Sequence, residues 1–210
     1  MSKMEEVYQL VSAGKAKLVP AAVQGALDEG GTAVDILNTM IDAMGLVGDR
    51  FRKNEIFVPE MLVAARAMKR GVEVLKPHLS AGGAGAKGTV VIGTVAGDLH
   101  DIGKNLVAMM IESAGFEVID LGVDVPKEKF VEAYNEYPGT KIIACSALLT
   151  TTLPALRDTV AYINKQSFRR SVKVMVGGAP VTQAFADEIG ADAYTGDAAS
   201  AAQRAKELVD

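Results

Sequence analysis

Between residues 89 and 196, five short apolar runs alternate with segments of helical pattern. The runs are TVVIGTV (89–95), FEVIDLG (116–122), KIIACSA (141–147), VKVMVGG (172–178) and ADAYTG (191–196). KNLVAMMIESAG and LPALRDTVAYINKQ are two of the helical segments between them. Because the runs are apolar almost throughout, rather than at every second residue, the strands they form need cover on both faces. Strand and helix in alternation predict a doubly wound parallel five-stranded sheet of flavodoxin or Rossmann type. In that architecture ligands bind at the carboxyl ends of the strands, where the strand order reverses.

The preceding part reads differently. Val34, Leu37, Met40, Ile41, Met44, Val47 and Phe51 recur at three- and four-residue steps behind Thr32, an N-cap residue with Asp35 three positions later. Met61, Leu62, Ala65, Met68, Val72 and Leu75 form a second stripe behind Pro59, which suits a first helical turn. Shorter helices near 4–13 and 19–28 complete an antiparallel all-α bundle of about four helices. Residues 80–88, SAGGAGAKG, carry no periodic pattern and read as a linker. The expected division is a helical domain 1–79, a linker 80–88 and an α/β domain 89–210.

Composition excludes several function classes. No apolar run approaches the roughly 20 residues of a membrane span, and MSKMEEVYQL lacks the basic start and apolar stretch of a secretory signal. The expectation is a cytoplasmic protein without a membrane partner. A net charge of −4 argues against a nucleic-acid partner held through phosphates. One cysteine, Cys145, excludes an internal disulfide, and two histidines leave any multi-ligand zinc site to carboxylates. GTVAGD after the first strand lacks the Gly-x-Gly-x-x-Gly pattern of a nicotinamide site.

Against that background AGDLHDIGKN (96–105) stands out, because it sets His100 between Asp98 and Asp101 in the loop after the first strand. A lone loop histidine is ordinarily solvated. Here Asp98 lies two residues away, where it can hold one ring nitrogen while the other meets a metal. Asp101 either faces solvent or caps the helix that begins near Gly103, and Gly103 permits a tight turn or a close backbone approach. Ser146, Leu148 and Thr150 follow the third strand, and Gly177 and Gly178 follow the fourth. Singly these are ordinary strand-end residues. Together they describe a slot in which small residues admit a large group and hydroxyls meet its polar atoms.

Asp98-x-His100-x-x-Gly103, then Ser146-x-Leu148, then Gly177-Gly178 resembles the signature of proteins that bind cobalamin with its lower benzimidazole displaced. FVPEMLVAARAMKRGVEVLKP (57–77) looks like the cap helix of cobalamin-dependent methionine synthase and of the small corrinoid proteins of methyltransferase systems. The resemblance covers nearly the whole chain. It implies base-off, His-on cobalamin cycling between methylcobalamin and cob(I)alamin, with His100 as the lower cobalt ligand. Asp98 would bond the other imidazole nitrogen and Ser146 would extend that relay. Leu99, Asp101 and Ile102 complete the loop motif against the cofactor. Gly103, Leu148, Thr150, Gly177 and Gly178 would line the channel for the nucleotide tail.

Phe57, Met61 and Leu62 stand where the family's cap residues cover the upper face of the corrin, although bundle core is the ordinary role of a methionine or leucine at helical spacing. The function implied is a methyl carrier between a substrate-specific corrinoid methyltransferase and an acceptor methyltransferase, with a reductive activase as a further partner. Such a chain is a carrier subunit rather than a complete enzyme, since no nucleophile and base pair accompanies the cobalt site. The alternative is a cobalamin-based sensor, but sensors of that kind carry a tryptophan in the cap and a DNA-binding module, and this chain has no tryptophan. A cobalamin-dependent mutase needs a large substrate barrel. A signalling receiver domain would leave the helical half and His100 unexplained.

Overall fold

The computed structural model describes residues 2–82 and 87–209. They divide into two compact units, one made of the first four helices with Ser113–Gly115, the other of the sheet and its remaining helices.

The helical unit contains α1 (Lys3–Ser12), α2 (Val19–Asp28), α3 (Ala33–Arg52) and α4 (Val58–Gly82). Local chemistry sets each start. The Ser2 hydroxyl accepts from the Glu5 N–H at 3.1 Å, and Pro20 fills the first turn of α2. The Thr32 hydroxyl accepts from the Asp35 N–H at 3.1 Å and donates to its carboxylate at 2.7 Å. The Phe57 N–H donates to Glu60 Oε2 at 3.1 Å, the half of a capping box that an N-cap without a hydroxyl can still make.

The expected apolar stripes are mostly buried, with one exposed residue in each. On α3, Ile36, Met40, Ile41, Ala43, Met44 and Val47 are buried while Val34 is exposed. Val34 lies in the first turn of α3, and Ile36 rather than Val34 begins its buried face. On α4, Met61, Ala64, Ala65, Ala67, Met68 and Leu75 are buried while Leu62 is exposed. Each large buried side chain contributes roughly 1.5–3 kcal/mol of transfer free energy.

The linker also differs. Helix α4 continues through Pro77 as far as Gly82, because alanine and serine near its end are compatible with helix. Residues 83–86 of the expected linker lie outside the described residues.

The α/β unit is a five-stranded sheet of order β2-β1-β3-β4-β5, parallel throughout. Its strands are β1 (Thr89–Thr94), β2 (Glu117–Asp120), β3 (Thr140–Ser146), β4 (Lys173–Gly177) and β5 (Ala193–Tyr194). Helices α5 (Ile102–Ser113), α6 (Lys127–Glu136), α7 (Leu153–Asn164), α8 (Gln183–Ile189) and α9 (Ala198–Val209) make the connections. Every residue of β1 is buried, whereas edge strand β2 is buried nowhere along its length. On one face, Val91, Ile143, Cys145, Val174 and Val176 pack with Phe130, Leu156, Val160 and Ile163. The chain turns outward in opposite directions from β1 and β3. Their carboxyl ends therefore border the crevice where this topology places ligands. Among the described residues no helix is long and apolar enough to cross a membrane.

Candidate functional site

Parallel register puts Thr94, Ser146 and Gly177 level with one another at the ends of β1, β3 and β4. The Thr94 hydroxyl donates to the His100 carbonyl at 2.9 Å and lies 3.1 Å from the Ser146 hydroxyl. A hydroxyl has one hydrogen, so with that of Thr94 committed to His100, Ser146 is the donor between the two. The sheet end thus holds the backbone of the histidine loop from below.

Asp98 organises the loop itself. Its side chain is wholly buried, beside an imidazole that is 48% exposed. Oδ1 accepts from the His100 N–H at 3.1 Å and lies 2.7 Å from His100 Nδ1. Oδ2 accepts from the Leu148 N–H at 2.7 Å and the Thr152 hydroxyl at 2.8 Å, with the Leu149 N–H at 3.4 Å. Burial alone would push the carboxyl pKa up. Hydrogen bonds from Leu148 N–H, the His100 imidazole, Thr152 and the His100 N–H outweigh it and hold the group well below the usual carboxylate range. An ionised Asp98 requires Nδ1 to carry the hydrogen. In the neutral ring Nε2 then keeps its lone pair, on the exposed side of the imidazole.

The relay beyond Asp98 is not the expected one. Thr152, not Ser146, donates to its second oxygen. The 3-10 turn Thr150–Thr152 brings the buried Thr152 back to the carboxylate, while Ser146 ends β3 facing Thr94. The sequence does not single out Thr152, which sits among three consecutive threonines before Leu153-Pro154. It occupies the N-cap position of α7, yet its side chain makes no capping hydrogen bond.

The remaining motif residues lie at the carboxyl end of the sheet, in the histidine loop or at the ends of β3 and β4. Leu99 and Ile102 are 72% and 84% exposed, and Leu148 is exposed across the crevice. Asp101 stands just before α5, its carbonyl accepting from the Asn105 N–H at 2.7 Å and its carboxylate from the Asn105 amide at 3.1 Å. Gly103 lies within the first turn of α5 rather than at a tight turn, and a Cβ built there meets no atom within 4 Å. Gly178 is different. At φ +125° its Cβ would stand 1.9 Å from the Ala147 carbonyl oxygen, so no side chain is accommodated. Gly177 would bring a Cβ to 3.3 Å from the Thr195 carbonyl oxygen. Thr150 is exposed at the same sheet end.

Of the three cap residues expected in the helical unit, Phe57 is 64% exposed and Leu62 is partly so, but Met61 is fully buried. Met61 shares its stripe with Ala64, Ala65, Met68 and Leu75, which makes it a core residue. Sequence reasoning also missed Lys104, buried against Asp120 with Nζ–oxygen distances of 2.5 and 2.6 Å, and Asp124, which bonds to the histidine loop.

These residues fit a corrin. Among the described residues no group of three or more His, Cys, Asp or Glu side chains could hold a metal ion. The exposed apolar side chains of the histidine loop and of Leu148 suit a large, largely apolar macrocycle, and the open space beside Gly103 leaves room for an appended group.

Comparison with known proteins agrees. The family described as B12 binding domain matches residues 88–206, and a second family of the same description matches residues 4–76. Dimethylamine corrinoid protein 1 of Methanosarcina acetivorans is 46% identical over the full length of both chains. A corrinoid protein of Desulfitobacterium hafniense is 38% identical over all of this chain and 98% of its own. The crystal structure of a cobalamin-binding protein from Desulfitobacterium hafniense superposes with a TM-score of 0.83 at 30% identity, covering 99% of this chain and 98% of that one. The methanol:cobalamin methyltransferase complex of Methanosarcina barkeri contains a chain that superposes with a TM-score of 0.82 at 29% identity, covering 99% of this chain and 79% of that one. With the histidine loop, the glycine-lined crevice and full-length likeness in agreement, the chain belongs to the family of B12-binding corrinoid proteins.

Proposed function

We propose that this chain binds cobalamin with its lower base displaced and His100 in its place, and carries methyl groups from a substrate-specific methyltransferase to an acceptor methyltransferase. The observation that carries this reading is the Asp98–His100 pair, which leaves Nε2 free on the open side of a half-exposed ring. Bound cobalamin supplies a cobalt centre that accepts and releases a methyl group. The chain's own residues set the conditions for it. Asp98 orients the imidazole and holds the Nδ1 proton, Thr152 and the Leu148 N–H keep Asp98 ionised, and Gly103, Leu148, Thr150, Gly177 and Gly178 border the path for the nucleotide tail. Leu99, Ile102 and Leu148 exclude water beside the imidazole.

The relatives support the carrier role. Several are named dimethylamine corrinoid proteins, and a similar solved structure is a monomethylamine corrinoid protein of Methanosarcina barkeri. A small methylated amine is thus the methyl source in this reading, and a partner methyltransferase activates it. A reductive activase would restore the cobalt after adventitious oxidation, and the whole cycle would run in the cytoplasm. Residues 1–79 supply the cap, with Phe57 and Leu62 as its contacts, and residues 89–210 the cofactor site.

The decisive experiment is electron paramagnetic resonance of the Co(II) protein. Wild type should show nitrogen hyperfine splitting from an axial imidazole, and His100→Ala should lack it. Identical spectra would remove His100 from the cobalt.

A further inference from the structure

Among the described residues only Asn54 and Asp124 combine a side chain with a left-handed backbone, and they differ in what surrounds them. Asn54 lies in the short connection between α3 and α4. Asp124, at φ +52°, lies in the loop between β2 and α6, alongside the histidine loop. The left-handed region is unfavourable for a residue with a Cβ, least so for asparagine and aspartate, and it persists where neighbouring contacts hold it.

Those contacts belong to the His100 loop. The Asp124 N–H donates to the Asp98 carbonyl at 3.0 Å, and its Oδ1 accepts from the Gly97 N–H at 2.7 Å. Gly97 is itself left-handed at φ +80°, the third residue of a turn closed by the Asp98 N–H on the Val95 carbonyl at 3.2 Å. Two more backbone bonds run beside this contact, Thr94 N–H to the Gly122 carbonyl at 3.0 Å and Val125 N–H to the Thr94 carbonyl at 2.9 Å. At the far end of the histidine loop, Lys104 is buried against Asp120, whose Oδ1 accepts from the Gly122 N–H at 2.8 Å. The segment that carries Asp98 and His100 is therefore held at one end by the β2–α6 loop and at the other by the last residue of β2.

We propose that Asp124 is a positioning residue: through Gly97 and the Asp98 carbonyl it fixes the histidine loop so that Asp98 and His100 stand in place before a cofactor arrives. The inference rests on the reading that His100 binds cobalt. Its effect comes from acceptor geometry rather than from charge, since an amide oxygen at this position can accept from the same N–H.

Two substitutions in the full chain separate the possibilities. Asp124→Gly tolerates the left-handed backbone but has no acceptor. Asp124→Asn tolerates the backbone and keeps one. In the cobalamin-free protein, hydrogen exchange at the Gly97 amide should rise about tenfold in Asp124→Gly and stay near wild type in Asp124→Asn. In the Co(II) protein, Asp124→Gly should bind cobalamin about tenfold more weakly and show a smaller fraction with nitrogen hyperfine splitting, with Asp124→Asn again restoring both. Unchanged exchange and an undiminished His-bound fraction in Asp124→Gly would overturn the proposal, and so would Asp124→Asn behaving like Asp124→Gly. A wild type without hyperfine splitting would instead overturn the axial-ligand reading, leaving the exchange result to judge Asp124 alone.

Discussion

The Asp98 carboxylate meets the His100 imidazole at 2.7 Å with one oxygen and spends the other on Leu148 and Thr152 from a different strand end. One side chain therefore ties the loop after β1 to the loop after β3, and the ring's orientation depends on both. Replacing it by Asn keeps the shape but cannot satisfy donors on both sides, since one end of an amide is itself a donor. Asp98→Asn should destabilise the cobalamin-free protein by about 1–3 kcal/mol, measured by denaturant unfolding. It should also make the Co(II)/Co(I) potential less negative, because the histidine loses an anionic partner. An unchanged potential in spectroelectrochemistry would show that the carboxylate does not act on the metal.

The same pair gives a pH dependence with a definite sign. The folded-state pKa of Asp98 lies below its unfolded value, so its contribution to stability is fully present above the ordinary carboxylate pKa near 3.9. That contribution is lost as pH falls below this value toward the depressed folded pKa. The stability gap between wild type and Asp98→Asn should therefore be constant from neutral pH down to about 5 and shrink below about 4. A gap independent of pH down to 3 would contradict an ionised, hydrogen-bonded Asp98.

Thr152 and Ser146 separate by the same logic. Thr152→Val removes a buried donor to Asp98 and should cost about 1–2 kcal/mol, with Thr152→Ser recovering most of it. Ser146→Ala removes a donor to Thr94 and leaves the four strongest Asp98 contacts intact. The cobalt potential should move with Thr152→Val and stay in place with Ser146→Ala. If Ser146→Ala shifts it as much, the relay runs through Ser146 in the loaded protein.

This is also where the sequence was least legible. The five strands, the four helices and the ligand edge follow from periodicity and punctuation, because apolar runs, Thr32 with Asp35 and Pro59 act within a few residues of themselves. The Asp98–His100 contact was readable because two residues that close in one loop can meet without any long-range packing. Thr152 was passed over, since nothing local says that a 3-10 turn will carry its hydroxyl to a carboxylate 54 residues away. Asp124 was likewise hidden, since its positive φ appears only once the β2–α6 loop lies against Gly97. That Ile36 rather than Val34 begins the buried face of α3 required knowing which neighbours Ile36 meets.

The two glycines of the motif should respond in opposite ways. Gly178→Ala forces a Cβ against the Ala147 carbonyl at a left-handed φ and should cost at least about 2 kcal/mol in the cobalamin-free protein. Gly103→Ala has open space and a helical backbone, so it should stabilise that protein by up to about 1 kcal/mol. If the open space above Gly103 is where the cofactor lies, the same Gly103→Ala protein should bind cobalamin more weakly in spectrophotometric titration. Higher stability together with unchanged affinity would place the cofactor elsewhere.

Phe57 and Met61, four residues apart on the helical unit, should divide stability from protection. Met61 is fully buried, and Met61→Ala should cost about 2–5 kcal/mol. Phe57 is largely exposed, and Phe57→Ala should change stability by less than about 0.5 kcal/mol. A side chain of that size left in water by the fold itself has no structural reason to be aromatic. If it shields the corrin, Phe57→Ala protein loaded with methylcobalamin should lose the methyl group under light faster than wild type. A fragment of residues 87–210 should bind cobalamin and lose it faster still. Photolysis rates can be compared by visible absorbance at matched occupancy. Equal rates in all three would remove the protective role from the helical unit and leave Phe57 free for a different contact, such as a docking methyltransferase.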